Sequence, residues 1–429
     1  MAVNEWTNSS LISLLDVMKS GGTPNTSRSD FYGGEIPFVS IEDMSATKKY
    51  LQHTVKTLTK EGLKNSNAWL VPANSLLYSI YATLGLVRIS KVTLATNQAI
   101  LAMIVNSKLI DQEYLYYWLE YVRGSVINLS SQTTQSNLNA TIVKTFIIQH
   151  PENKKEQEKI AEVLSTIDRT IAQTEAIIAK QQRIKTGLMQ DLLTKGIDEN
   201  GNIRSEATHE FKDSAIGRIP VEWEVENFID ACERVSVGIA TSTTKYFQSE
   251  GVPLLRNQNI LSGVFDLNEL LYISLDFDVI NKSKRLKTGD LVTMRTGYPG
   301  RTAVATSFMD GWQTFTTLIS TPKKQKYRPD FLSVLMNSFV CRKQILTLQG
   351  GGAQQNLNVG WLIKMKVFKP SIAEQTGILS VLNDIDKAID CNSKQLQKLH
   401  HQKTGLMQDL LTGKVRVTNL LKEREPASP

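Results

Sequence analysis

From residue 152 onward, apolar side chains recur at alternating steps of four and three: Ile160, Leu164, Ile167 and Ile171, then Ile178, with Ile184, Leu188 and Leu192 closing the run. That period lines them along one seam of a helix of about 40 residues, ~60 Å long. The seam returns 218 residues later as Ile378, Leu382, Ile385 and Ile389, then Leu396, Leu399, Leu406 and Leu410. Both copies hold a polar residue at the same point, Thr174 and Asn392, where such a side chain can fix the register of a helix pair. The ten letters KTGLMQDLLT at 185–194 recur unchanged at 403–412. Ser371 and Glu374, just after Pro370, have capping-box spacing and mark the start of the second helix. A rod this long exceeds what a core of this size needs. Its expected use is to pair with its twin and hold two other bodies a fixed distance apart.

Elsewhere the pattern is mixed. Leu11, Leu14, Leu15 and Met18 have helical spacing and predict a short helix, stopped by Gly21, Gly22 and Pro24. The β-branched and aromatic stretches 36–41 and 75–92 predict strands, and Leu115, Trp118, Leu119 and Val122 predict a helix within 109–126. A polar loop is expected at 130–137, and a polar linker at 196–222. The repeat then restarts: Trp223 stands where Trp6 stood, Gly238 where Gly22 stood, and 251–255 echoes 35–39. Landmarks keep an offset of 216 to 219 while the residues between them diverge. The chain therefore reads as α+β, with two globular mixed α/β domains in tandem repeat, 1–151 and 223–370. Two long antiparallel coiled-coil helices, 152–195 and 371–413, separate them, and 414–429 forms a tail.

Composition narrows the function. A hydrophobic share of 41% and a charged share of 21% describe an ordinary globular chain, and a net charge of +7 tilts its partner toward a polyanion. Cys232, Cys341 and Cys391 are scattered thiols without metal or disulfide spacing, which fits a reducing cytoplasm. No apolar run reaches the ~18 to 20 residues of a membrane span, so no membrane association is expected. Catalytic signatures are missing too: there is no phosphate loop, no GxGxxG opening a helix and no Asn-Pro-Pro-aromatic sequence. His400 and His401 are adjacent on a helix and point to different faces, a poor metal pair. We expect no catalytic residue, metal or cofactor in this chain.

Polar chemistry concentrates instead in loops. In the second half, Arg295 and Arg301 surround Gly297 and Gly300 with Tyr298 between them, after a predicted strand at 290–293. Arginine can bond guanine O6 and N7 together, and glycine permits close approach to a phosphate backbone. Arg256, Asn259 and Gln354 add groups suited to base edges; in the first half the candidates are Thr23, Arg28, Tyr81, Arg88 and Gln135. Each could equally serve a capped turn, and Tyr78 and Tyr81 could be core residues with bonded hydroxyls. Lys48, Lys49, Lys323, Lys324 and Lys326 are expected as phosphate contacts or solvated charge. The helix-pair or partner interface is expected at Ile167, Ile171, Gly187, Leu188, Ile385, Ile389, Gly405 and Leu406. A helical glycine costs ~1 kcal/mol relative to alanine, so Gly187 and Gly405 point to close approach of the twin helices or of partner subunits.

Taken together, Gly21, Gly22, Thr23 and Pro24 followed by Ile36 and Pro37, Thr96-Asn97-Gln98, the helix start at 156–161, the repeat at 185–193 and the segment 211–223 resemble the specificity subunit of type I restriction-modification systems. The likeness spans nearly the whole chain. It implies two target-recognition domains reading a split, asymmetric sequence in double-stranded DNA. It also implies two methyltransferase subunits that bring S-adenosylmethionine and modify adenine at N6, and restriction motor-nuclease subunits that join for cleavage. There are departures: 132–135 lacks the glycine usual in that loop, and Val237-Gly238-Ile239-Ala240 replaces Gly-Gly-Thr-Pro. The alternative is a coiled-coil scaffold without DNA specificity, which predicts no salt-dependent binding to duplex DNA.

Overall fold

The computed structural model describes residues 6–131, 138–348 and 356–422. The chain forms two compact units that ignore chain order, one made of 1–176 with 394–429 and the other of 177–393. Each unit holds one mixed domain and one half of each long helix, Lys154–Leu192 and Ile372–Leu411.

In the first unit, Leu15–Ser20 pairs antiparallel with Ile100–Val105, which pairs in turn with Leu76–Ser79; Val87–Ser90 and Tyr50–Leu51 complete the sheet. A smaller sheet joins Lys56–Leu58, Tyr32–Val39 and Ala95–Thr96. The second unit repeats this plan with Cys232–Val237, Leu318–Pro322, Leu291–Thr293 and Thr302–Val304, beside Phe247–Gln248, Leu271–Ile273, Val252–Leu255 and Gln313–Thr314. Three expectations change here. The helix predicted over Leu11 to Met18 is a single 3-10 turn, Leu11–Leu14, because Leu15 already belongs to a strand bonded to Val105. The segment 196–222 is not a structureless linker: Phe211–Ser214 and Gly217–Pro220 form a hairpin, and Ile197 and Ile219 are buried in the core of the second unit. Gly238, finally, matches Gly21 rather than Gly22. Gly21 and Gly22 donate to Ile100 and Thr96, while Gly238 and Ile239 donate to Thr317 and Thr314.

Within each unit the long helices run antiparallel, since partner numbers fall on one as they rise on the other. In the first unit Ile167 and Ile171 bury against Leu399, with Leu396 and Leu406 packed on them, and Asp168 pairs with Lys403 at 2.7 Å. In the second, Lys185 pairs with Asp386 and Asn392 Nδ2 donates to Gln181 Oε1 at 3.0 Å; Ile385 and Ile389 are half-buried, and Leu188 packs on the core. The two polar seam residues thus differ in use. Asn392 crosses to the facing helix, while the hydroxyl of Thr174 bonds back to Thr170 of its own helix. Beyond the local backbone of its own helix, nothing lies within 4 Å of where a Cβ would stand on Gly187 or Gly405, so the twin helices do not approach closely there. Both glycines sit on an exposed face instead.

A carboxylate clasp closes each unit. Glu156, fully buried, receives both Nε and a terminal nitrogen of Arg416 at 2.7 and 2.8 Å, and Leu410, Leu411 and Val417 join the core formed by Ile160 and Leu164. In the second unit Glu374 binds Arg204, the Ile197 N–H and Trp223 Nε1. Only half of the expected capping box therefore forms. Ser371 Oγ accepts from Glu374 N at 3.1 Å, but the Glu374 carboxylate is committed to the clasp. The glutamine that follows each clasp residue ties the helix to its domain: Gln157 accepts from Asp111 N, and Gln375 accepts from Arg328 N.

Candidate nucleic-acid interface

The two strand hairpins that carry the candidate side chains have one backbone. In the first unit Ser79 N donates to Leu86 O, Gly85 N to Ser79 O and Leu86 N to Thr83 O; in the second, Met294 N donates to Arg301 O, Gly300 N to Met294 O and Arg301 N to Tyr298 O. The same three bonds recur at an offset of 215. The left-handed residues recur with them, Ala82 (φ 56°) and Gly85 (φ 74°) against Gly297 (φ 83°) and Gly300 (φ 90°). Side chains at matching positions share nothing: Ile80, Tyr81, Thr83 and Leu86 face Arg295, Thr296, Tyr298 and Arg301.

In the second unit this hairpin is the meeting point of several loops. Arg295 N donates to Asn257 Oδ1 at 2.8 Å, Asn257 Nδ2 reaches Thr316 Oγ1 at 3.2 Å, and Leu357 N donates to Arg295 O at 3.0 Å. Tyr298 is 60% exposed and the Arg301 guanidinium lies 3.8 Å from its ring centre. That stack holds a cation at the hairpin tip without a counter-ion among the described residues, an arrangement suited to a phosphate or a base edge. Arg256 is half-buried and tied to the Glu269 carbonyl at 2.8 Å. Asn259 leaves the candidate surface altogether. It is buried, accepts from Arg256 N and donates to Asp266 O, as Asp43 accepts from Ser40 N and Val55 N in the first unit. Its position is a cap that pins the following loop.

In the first unit the loops at 22–26, 96–99 and 79–86 converge in the same way: Thr23 Oγ1 donates to Gln98 Oε1 at 2.5 Å and Ile80 N to Ala99 O at 2.9 Å. Thr23, Tyr32, Phe38, Ser40, Lys56 and Asn97 line a cavity of about 500 Å³. The Tyr32 hydroxyl donates to Pro24 O, and burial raises its pKa. Tyr81 is 39% exposed, whereas Tyr78 is fully buried, so the two tyrosines part company. Arg28 is exposed, but its fork is filled by Asp30 at 2.8 and 2.7 Å; the hydrogen bond from Arg28 lowers the Asp30 pKa. Arg88 is a correction: it is buried, with Nε donating to Met44 O and Thr47 O, and Glu120 lies 3.6 Å away. It braces the sheet and cannot reach a groove. Gln135 and Gln354 lie outside the described residues.

The lysines divide likewise. Lys49 is nearly buried and donates to Glu113, Tyr117 and Ser165, while Tyr117 donates to Asp168. Burial lowers the Lys49 pKa; burial also pushes the Glu113 carboxyl up, but hydrogen bonds from Tyr50, Lys49 and Ser165 outweigh it and leave the carboxyl below its usual range. This network joins the first domain to its helix, and Lys326 with Glu226 is likewise an internal pair. Sequence reasoning missed Asn257, Thr316 and Gln98 as loop organisers. Only the amide-rich run at 256–259 and the sequence Thr96-Asn97-Gln98 hinted at two of them. Among the described residues no cluster of His, Cys, Asp and Glu could hold a metal, and no helix is long and apolar enough to cross a membrane.

Comparison with known proteins agrees with this duplicated architecture. The family described as type I restriction modification DNA specificity domain matches residues 4–182 and 220–401, both halves of the repeat. The type I restriction enzyme MjaVIII specificity subunit of Methanocaldococcus jannaschii is 26% identical over 332 residues, covering 73% of this chain and 72% of the relative. The EcoBI specificity subunit of Escherichia coli is 23% identical, covering 73% and 67%. Among solved structures, a chain from a study of complex assembly and conformational transition of the type I R-M system superposes with a TM-score of 0.64 at 12% identity, covering 95% of this chain and 97% of that one. The S subunit from M. genitalium gives 0.52 at 14% identity, covering 95% and 96%. With both halves matched and the duplicated fold shared, the chain belongs to the type I restriction-modification DNA specificity family.

Proposed function

We propose that this chain is the non-catalytic reader of a cytoplasmic type I restriction-modification complex. Its two domains each read one part of a split, asymmetric sequence in double-stranded DNA. The observation that carries this reading is the pair of hairpins with one backbone and unrelated side chains. A duplicated frame with divergent tips suits two different half-sites read by one kind of module. Bases are read by Arg295, Tyr298 and Arg301 in one domain and by the loops around Thr23 and Tyr81 in the other; phosphate contacts supply salt-dependent affinity.

The partners are two methyltransferase subunits carrying S-adenosylmethionine, which modify adenine at N6, together with restriction motor-nuclease subunits. Support comes from the repeated ten residues. Their leucines Leu192, Leu193, Leu410 and Leu411 are buried, which explains the identity at those two positions. Thr186, Gly187 and Gln190, matched by Thr404, Gly405 and Gln408, are exposed and outside this chain's core. Two identical outward faces fit two copies of one partner. Extrusion of the adenine would fall to that partner. Sequencing methylated adenines in cells expressing this chain with its methyltransferase tests the reading. A two-part motif is expected, and an uninterrupted motif, or methylation independent of this chain, refutes it.

A further inference from the structure

The hairpin of the second unit borders a cavity of about 270 Å³ between Gly297–Arg301 and the helix Phe339–Leu348, with Ser262 on its rim. Two guanidinium-bearing residues, Arg301 and Arg342, line it, and among the described residues no Asp or Glu does. Arg28, Arg88, Arg204, Arg234, Arg285 and Arg416, by contrast, each have a carboxylate within 4 Å. Two neighbouring guanidiniums without a carboxylate repel each other and gain from an anion between them.

The close approach of hairpin and helix depends on Gly300. A Cβ there would stand 2.2 Å from Ile345 Cδ1, so the glycine lets the Arg301 limb sit against the helix that carries Arg342. Arg301 is already stacked on Tyr298, which fixes the direction of its fork. In the first unit the same flank is closed. Arg123, on the corresponding helix Gln112–Ser131, spends its Nε on Leu84 O at 3.1 Å, and its Cγ lies 3.0 Å from where a Gly85 Cβ would stand. Among the described residues, the open, doubly cationic pocket therefore belongs to the second reader.

We infer that this pocket seats a backbone phosphate of the bound duplex, gripped by Arg342, the Ser262 hydroxyl and one limb of the Arg301 fork, whose other limb meets the adjoining base. The inference rests on the DNA-reading function proposed above and adds Arg342 and Ser262 to it as phosphate ligands. A phosphodiester carries one charge and several acceptor oxygens, which two planar forks and a hydroxyl match. A contact of this kind positions the reader without choosing a sequence.

The test uses the full chain assembled with its modification subunits and two duplexes, one with the mapped motif and one with the second half-site scrambled. Affinity is followed by fluorescence anisotropy across a salt series. Arg342→Ala should weaken both duplexes by the same factor and flatten the logarithmic salt dependence by about one. Arg342→Lys, which keeps the charge, should restore most of that slope. Unchanged binding in Arg342→Ala, or a loss confined to the mapped motif, overturns the phosphate seat while leaving the reading of DNA in place. A wild-type assembly without salt-dependent duplex binding overturns both. Circular dichroism of each variant confirms folding, which an exposed residue such as Arg342 leaves intact.

Discussion

The hairpins at 79–86 and 294–301 share three backbone bonds and two left-handed positions yet agree in almost no side chain. Their surroundings, by contrast, agree in detail: Gly21 and Gly238 seat against Thr96 and Thr314, and Asp43 and Asn259 cap the same turn. Duplication has kept what holds the tip and released what the tip displays. Specificity in such a protein can change by exchanging a few side chains, because the frame tolerates them.

The frame itself is the place to break the comparison hardest. A Cβ on Gly21 would lie 1.8 Å from Thr96 O, a backbone atom that cannot swing aside. Gly21→Ala should therefore destabilise the first unit by on the order of 3 kcal/mol or more. Hydrogen exchange within 15–20 and 95–105 would register it as lost protection, and normal protection there would mean the shared frame is softer than its geometry.

At the tips the expected losses are smaller and lopsided. Arg301→Ala should cost ~1 to 3 kcal/mol in binding at the half-site read by the second domain and leave discrimination at the other half-site unchanged. Competition between duplexes substituted one base at a time measures this. An equal loss at both half-sites would assign Arg301 a structural role.

The mildest prediction concerns Ala82, which holds φ 56° where the second hairpin has Gly297. A left-handed alanine costs ~1 kcal/mol, so Ala82→Gly should relieve strain, offset in part by the greater freedom glycine has in the unfolded chain. A thermal transition shifted slightly upward or unmoved fits; a marked fall would show that the Ala82 methyl group is used.

Most of the seam, the tandem repeat and the extents of both long helices were legible because period and offset are properties of the chain alone, whereas Ile184, which spacing put on the seam, is 43% exposed. Leu11 to Met18 misled for a physical reason: spacing marks which residues are buried, and a 3-10 turn running into a strand buries Leu11, Leu14 and Leu15 as well as a helix would. Arg88 and Asn259 looked like readers because a buried brace and a groove contact use the same functional groups. What separates them is the carbonyl each one meets, and Met44 and Thr47 lie more than 40 residues from Arg88 in sequence. Of the two approaches expected at Gly187 and Gly405, that of the twin helices is absent, since open space lies beside both glycines.

The clasp between Glu156 and Arg416 also has a consequence in time. The second unit is one continuous stretch and has all its residues once position 393 has been made, whereas the first must wait for Leu410, Leu411 and Arg416 to complete its core. At ~5 to 20 residues per second, the stretch from 176 to Arg416 takes roughly 12 to 48 s to add, and until then the first unit lacks part of its core. Birth order and completion order are reversed, so a premature stop between Lys394 and Arg416 would leave the unit begun first without part of its core.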